Sequence, residues 1–153
     1  MVRMDDIPEE SRPRIANLQC PIYEGDPFVS GLPVKQRRVA IISTAGLHRR
    51  GDRPYAFDAD DYRIIPGETP AADIVMSHIS SNFDRSGFQQ DYNVAFPLDR
   101  LREMASDDEI GSVANYHYSF MGSTHPDAME GTARHLAGLL KSDGVDAVVL
   151  IPV

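Results

Sequence analysis

The sequence VDAVVLIPV, residues 145–153, predicts a buried β-strand at the end of the chain, because it is short, apolar and rich in β-branched side chains. In an open α/β sheet, ligands bind at the edge where the parallel strands end. A helix normally follows such a strand and covers one face of the sheet. None follows this strand, so we expect an α/β domain that is incomplete at its C-terminus.

The elements that precede this strand alternate between strands and helices. Short apolar runs predict three further strands, at residues 38–43, 72–77 and 113–120. Apolar residues at helical spacing predict amphipathic helices at residues 98–108 and 126–142. This order is typical of an open, mostly parallel sheet with crossover helices, as in Rossmann-like and flavodoxin-like folds.

Other parts of the chain predict little regular structure. Residues 1–33 are rich in proline and acidic side chains and show no sustained period, so we expect an extended arm with a turn of helix at residues 8–11. Residues 34–153 would then form the N-terminal part of a single α/β domain. The stretch 47–70 carries several Gly and Pro residues and predicts a long irregular loop, a type of connection that is often functional. A short extended segment is predicted at residues 94–97.

The helix at residues 126–142 has a recognisable start and one apolar face. Pro126 suits the first helical position, and Thr124 or His125 is the expected N-cap. The side chains expected to form the buried stripe of this helix are Met129, Ala133, Leu136, Ala137 and Leu140.

Composition limits the classes of function. The chain has 153 residues, 42% of them hydrophobic, which fits one soluble domain. Its net charge of −8 argues against a nucleic-acid surface, and the short basic clusters at residues 35–38 and 48–53 are interpreted as solvated strand ends. No apolar run reaches the roughly 20 residues of a membrane span, and the N-terminus has no signal-peptide pattern. One cysteine excludes an internal disulfide, so we expect a cytoplasmic protein.

Polar residues follow the predicted strands and would meet at one edge of a parallel sheet. The segments concerned are residues 44–46, 77–78, 121–125 and Val153. His48, His78 and His125 would become neighbours there, with Asp84 nearby, but their spacing matches no compact metal-ligand pattern. We therefore expect a polar wall for a small anionic or zwitterionic substrate and no metal.

The sequence offers no convincing nucleophile. Cys20 is a candidate, but it lies in the proline-flanked arm without a strand end or helix N-terminus to lower its pKa. Neither a dinucleotide fingerprint nor a phosphate-loop lysine motif is present, and no serine lies in a strand-turn-helix elbow. For His117 and His135 we expect surface or hydrogen-bonded loop positions.

Five segments in order nevertheless resemble a known family. The chain is similar to the selenoprotein B family of glycine, sarcosine and betaine reductases, and especially to its shorter D-proline-reductase-type members. The segments are VAIISTAGLHRRGD (39–52), PAADIVMSH (70–78), NVAFPLDRL (93–101), IGSVANYHYSFMG (110–122) and KSDGVDAVVL (141–150).

This resemblance implies an oxidoreductase with a disulfide as acceptor, which cleaves a C–N bond reductively in an amino acid or an N-methylated amino acid. It implies a selenocysteine, or a cysteine in its place, directly after Val153, followed by another cysteine, and a pyruvoyl group on a partner subunit. We hypothesise that an in-frame UGA codon was read as a stop. The pocket residues implied by the resemblance or by the predicted edge are Thr44, Gly46, His48, His78, Ser119, Gly122 and His125.

Two other functions stay open. The chain could belong to a cysteine-dependent racemase or isomerase whose nucleophile is also missing, or it could be a non-catalytic module that binds a small ligand or a partner subunit. Because the last predicted strand has no following helix, we expect the 153-residue chain to be marginally stable or to form homo- or hetero-oligomers.

Overall fold

The computed structural model describes residues 4–17, 19, 21–80 and 84–153. Cys20 lies outside the described residues, so its expected lack of a catalytic role stays a prediction. In the arm, Ser11 N–H donates to the Pro8 carbonyl, and the turn predicted there leads directly into a short helix. The apolar side chains of the arm from residue 22 onward are largely exposed.

The described residues contain seven strands and four α-helices. The strands are β1 (Arg38–Ser43), β2 (Leu47–Arg49), β3 (Tyr62–Pro66), β4 (Ile74–Met76), β5 (Ser112–Val113), β6 (Tyr116–Phe120) and β7 (Ala147–Ile151). The α-helices are α1 (Arg12–Ala16), α2 (Ser86–Gln90), α3 (Leu98–Ser106) and α4 (Glu130–Ser142). Short 3₁₀ turns occur at Met4–Asp6, Val34–Gln36, Ala71–Asp73, Tyr92–Val94 and Pro126–Met129.

A curled, mostly parallel sheet organises the molecule. β1 is central and pairs in parallel with β7 on one side and with β5 and then β6 on the other. β3 pairs with β6 in the antiparallel direction and forms the opposite edge. The predicted α/β class, with a mostly parallel sheet, is therefore confirmed.

Helices cover both faces of this sheet. On one face, α3 buries Leu98 and Leu101 against Val39 and Ile41 of β1, together with Phe96. On the other face, α4 packs through Leu136 against the aromatic side chains of β6 and β3. The predicted helix at 98–108 is confirmed, and the predicted helix at 126–142 is confirmed as the 3₁₀ turn followed by α4, with His125 as N-cap.

The region expected to be an irregular loop contains strands. β2 and β4 pair with each other as a separate antiparallel sheet, so the predicted strand at residues 72–77 does not belong to the main sheet. β3 lies within the same predicted loop and closes one edge of the main sheet. These strands are only three to five residues long and are stabilised by pairing with distant segments, which explains why the prediction of a loop was wrong.

Two further predictions are corrected by hydrogen bonds to side-chain carboxylates. Residues 94–97 are not extended, because the Asp91 side chain accepts from Asn93 N–H and caps the 3₁₀ turn that precedes α3. The predicted strand at 113–120 is interrupted between β5 and β6. Its Asn115 N–H donates to the Asp143 carboxylate at 2.9 Å, which takes that group out of strand pairing.

The final strand, which was predicted to be buried, is only partly buried. β7 has one neighbour, and Val148 and Leu150 on its outer face are 39% and 69% exposed. α4 packs over β6 and β3 and leaves this face open, so Ala133 and Ala137, expected in its buried stripe, are exposed. In the described part of the chain, no helix is long and apolar enough to cross a membrane.

Candidate functional site at the carboxyl edge of the sheet

The parallel strands β1, β6 and β7 end at the same edge of the sheet. Thr44 N–H, directly after β1, donates to the Ile151 carbonyl of β7 at 3.0 Å. Gly46 N–H donates to the Phe120 carbonyl at the end of β6 at 2.8 Å. The structure thus brings Thr44 and Gly46 together with the chain that follows β6 and β7, while their role in binding a substrate stays a prediction.

Two glycines allow backbones to approach closely at this edge. Gly46 has a φ of +64°, and a Cβ there would lie 2.9 Å from the Cα of His78. Gly122 has a φ of +83°, and a Cβ there would lie 2.5 Å from the Thr44 carbonyl oxygen. Side chains at these positions would be strained and would clash, so both turns require glycine.

Ser119 is fully buried and has a structural partner. Its Oγ accepts from Leu47 N–H at 2.9 Å, which ties β6 to the turn after β1. Its carbonyl accepts a hydrogen bond from the hydroxyl of Tyr55. Ser119 therefore lies beneath the edge, where its side chain supports the turn.

Tyr55 is a residue of this region that the sequence analysis missed. Burial raises the pKa of its hydroxyl, although the neighbouring Arg63 acts to lower that pKa. The Arg63 guanidinium lies 4.4 Å from the centroid of the Tyr55 ring, a cation–π distance. Tyr55 is in the stretch predicted to be a loop, where no periodicity signals that a side chain is buried.

The three histidines expected to be neighbours have different environments. His48 is buried on β2, and its Nδ1 lies 2.8 Å from the Arg49 carbonyl. His78 is buried beside Gly46, and burial, followed by the nearby Arg85 charge, lowers its pKa. His125 is exposed and accepts from Asp127 N–H at 3.3 Å. Among the described residues, no three His, Cys, Asp or Glu side chains form a group that could hold a metal.

The expectations for the other two histidines are corrected in part. His117 is fully buried in β6, and its Nδ1 accepts from Ile41 N–H at 3.0 Å. Burial, assisted by the Arg102 charge, lowers the pKa of His117 to about 4, so its imidazole is neutral. His135 is exposed on α4, where its ring stacks on Tyr62 with centroids 6.5 Å apart.

The basic residues near the edge are matched by carboxylates. The ion pairs are Arg49–Asp52 at 3.4 Å, Arg50–Asp73 at 3.5 Å, and Arg53 and Arg63 with Asp61 at 2.8 Å each. Most of these side chains are substantially exposed. This pairing agrees with the interpretation of the basic cluster as a solvated strand end.

Comparison with known proteins identifies relatives of the chain. Residues 32–152 match the family model described as glycine/sarcosine/betaine reductase selenoprotein B. The chain is 32% identical over 120 residues to the D-proline reductase subunit gamma of Acetoanaerobium sticklandii, covering 76% of this chain and 49% of the relative.

Two proteins of Peptoclostridium acidaminophilum are also similar. The chain is 31% identical over 118 residues to the sarcosine reductase complex component B subunit beta, covering 74% of this chain and 27% of the relative. It is 28% identical over 140 residues to the betaine reductase complex component B subunit beta, covering 86% of this chain and 32% of the relative. The chain thus spans about half the length, or less, of these relatives. No solved structure matches it.

Proposed function

Because the chain belongs to the glycine/sarcosine/betaine reductase selenoprotein B family, we propose that it is part of a reductase subunit that cleaves a C–N bond in an amino acid or an N-methylated amino acid. The observation that carries the proposal is the family match over residues 32–152. The names of the relatives, which are subunits of D-proline, sarcosine and betaine reductases, support this substrate class.

The proposed nucleophile is a selenol or thiol on the residue that follows Val153. The hydrogen bond from Thr44 N–H to the Ile151 carbonyl supports this position, because it puts the end of β7 at the edge where β1 also ends. Ligands of open α/β sheets bind at such an edge. A selenol has a lower pKa than a thiol, so it is ionised at neutral pH, and the ionised form is the nucleophile.

The proposed reaction balances as a two-electron reduction. The C–N bond breaks, and its carbon and nitrogen each gain a hydrogen. The selenol or thiol and a second cysteine thiol together lose two protons and two electrons and form a selenenylsulfide or disulfide bond. A dithiol reductant then regenerates both groups by thiol exchange.

A pyruvoyl group on a partner subunit would activate the substrate. The exposed turn at Gly122 supports this arrangement, because it leaves the edge accessible to a neighbouring protein. Gly46 and His78, which the structure groups at this edge, are the proposed contacts for an amino-acid-like substrate. The names of the relatives as subunits of complexes support assembly with other reductase subunits.

The genomic DNA after the Val153 codon tests the proposal directly. A UGA codon, followed by an open frame that encodes a nearby cysteine, is the expected result. A UAA or UAG codon would contradict the proposed nucleophile and, with a stable folded product, would favour the non-catalytic module. A lone cysteine codon without a second cysteine would favour the racemase.

Activity gives the second test. The gene product, purified from its host together with its partner subunits, is incubated with dithiothreitol and with D-proline, glycine, sarcosine or betaine. We expect one of these to lose its C–N bond, so that D-proline gives a ring-opened amino acid, glycine releases ammonia, or sarcosine or betaine releases a methylated amine. Failure of all four, in a preparation that contains an alkylatable selenol or thiol, would contradict the proposed substrate class.

A further inference from the structure

Thr44 is bonded to the chain that follows β7 through both its backbone and its side chain. Its N–H donates to the Ile151 carbonyl at 3.0 Å. Its Oγ1 accepts from Val153 N–H at 2.8 Å and lies 3.4 Å from the Val153 carbonyl oxygen. The hydroxyl therefore holds the last peptide group described, two residues beyond the end of β7.

The position of Thr44 is itself fixed from the opposite side. The turn at Gly122 approaches so closely that a Cβ there would lie 2.5 Å from the Thr44 carbonyl oxygen and 3.2 Å from Thr44 Oγ1. Thr44 is thus enclosed between the end of β6 and the chain leaving β7.

We infer that Thr44 is a positioning residue, whose hydroxyl fixes the peptide at Val153 and so sets the direction in which the following residue leaves the sheet. This inference depends on the proposed function, in which that residue carries the nucleophile. A displacement of about 1 Å in a reacting group reduces turnover by as much as about 100-fold. A hydroxyl that holds the adjacent peptide is well placed to prevent such a displacement.

A different role for Thr44, direct binding of substrate, predicts different kinetics. The hydroxyl has one hydrogen and two lone pairs, and Val153 N–H already occupies one lone pair at 2.8 Å. A residue that contacts the substrate raises KM when it is removed, whereas a residue that aligns the nucleophile lowers kcat. The two roles are therefore separable by measurement.

The variants follow from this geometry. Thr44→Val removes the hydroxyl at similar volume, and Thr44→Ser keeps it. Thr124→Val is the matched control. Thr124 lies after β6, whereas Thr44 lies after β1, and the Thr124 hydroxyl donates to the Ala59 carbonyl at 2.6 Å and has no hydrogen bond to Val153.

The first measurement is amide hydrogen exchange at Val153 in the 153-residue chain. We expect Thr44→Val to speed this exchange roughly fivefold, because that factor corresponds to the net free energy of one hydrogen bond. Thr44→Ser and Thr124→Val should leave the exchange rate unchanged. An amide that already exchanges at the unstructured rate in the wild type would overturn the inference without reference to any activity.

The second measurement uses the gene product that continues past Val153, with iodoacetamide alkylation and steady-state kinetics. We expect Thr44→Val to lower kcat about tenfold or more with KM within about twofold, and Thr44→Ser to restore kcat. If the wild type shows no alkylatable selenol or thiol after Val153, the proposed function fails. If that group reacts normally and Thr44→Val keeps the wild-type kcat, the positioning role fails and the proposed function stands.

Discussion

Acidification is expected to destabilise the protein through His117. This imidazole is fully buried, and its Nδ1 accepts from Ile41 N–H, so it folds in the neutral form. Its pKa falls from 6.5 to about 4 on folding. Because the folded pKa is the lower one, the unfolded state binds the proton more readily below pH 6.5, and stability is lost as the pH falls from 6.5 toward 4.

The size of the effect follows from these two pKa values. At pH 5 the unfolded chain is almost fully protonated at this site, whereas the folded chain is about one-tenth protonated. The free energy of unfolding is therefore expected to be about 2 kcal/mol lower at pH 5 than at pH 7 through His117 alone, approaching about 3 kcal/mol near pH 4. Carboxylates contribute little in the upper part of this range, because their pKa values lie lower.

Urea unfolding at pH values from 7 to 5 measures this effect. His117→Gln keeps an acceptor for Ile41 N–H but does not titrate, so we expect its stability to vary less with pH than that of the wild type. His125→Gln, at an exposed position, is the control and should follow the wild type. Parallel loss of stability in the wild type and His117→Gln would refute the reasoning, as would an NMR titration that gives His117 a pKa near 6.5.

Three further predictions concern packing and association. Gly122→Ala should lower the free energy of unfolding by about 2–3 kcal/mol, whereas Gly138→Ala, in the open middle of α4, should raise it by about 0.5–1 kcal/mol; thermal melts compare them. Asp143→Ala should lower the free energy of unfolding by about 2–3 kcal/mol, because the Asp143 carboxylate pairs with Arg38 and also accepts from two backbone N–H groups. Arg134→Ala, which breaks an exposed ion pair, should lower it by about 0.5 kcal/mol. Leu150→Ser should leave stability within about 0.5 kcal/mol but reduce self-association in sedimentation velocity, because that side chain is 69% exposed. Equal melting temperatures within either of the first two pairs, or unchanged sedimentation in the third, would contradict these expectations.

The regular part of the fold was accessible from the sequence because its signals are local. The apolar run of β1 and the helical spacing in α3 and α4 are properties of adjacent residues. β2 and β4 have three residues each and owe their existence to pairing with each other across a separation of 25 to 29 positions. A pattern within a window of the sequence carries no information about such a partner.

The burial of His117 and Ser119 was missed for a related reason. In β6 the aromatic residues alternate with these two polar residues, which suggests one buried face and one solvated face. Helices cover both faces, and the polar face is buried because backbone amides of Ile41 and Leu47 supply hydrogen bonds to it. Those amides belong to segments more than 70 positions away, so local alternation gives no indication of them.

The candidate site also combines residues whose positions the sequence predicted with residues whose positions it did not. Parallel strands end at one edge, and that rule was sufficient to group Thr44 with the end of β7 and Gly46 with the end of β6. The same rule did not predict the position of His48, which lies on β2 in the separate sheet. Nor did it predict that His125 would be exposed, where it caps the 3₁₀ turn before α4.

The pairing of β1 with β7 has a consequence for synthesis on the ribosome. The two strands are far apart in the chain, as the bond from Arg38 N–H to the Asp146 side chain, 108 positions later, illustrates. At about 5–20 residues per second, β1 leaves the ribosome about 5–20 s before β7 is complete. Throughout that interval one side of the central strand has no neighbour, and an unpaired strand edge makes a nascent chain prone to aggregate. We therefore expect the pairing of β1 with β7, which can occur only late in synthesis, to be a step of folding that is sensitive to translation speed.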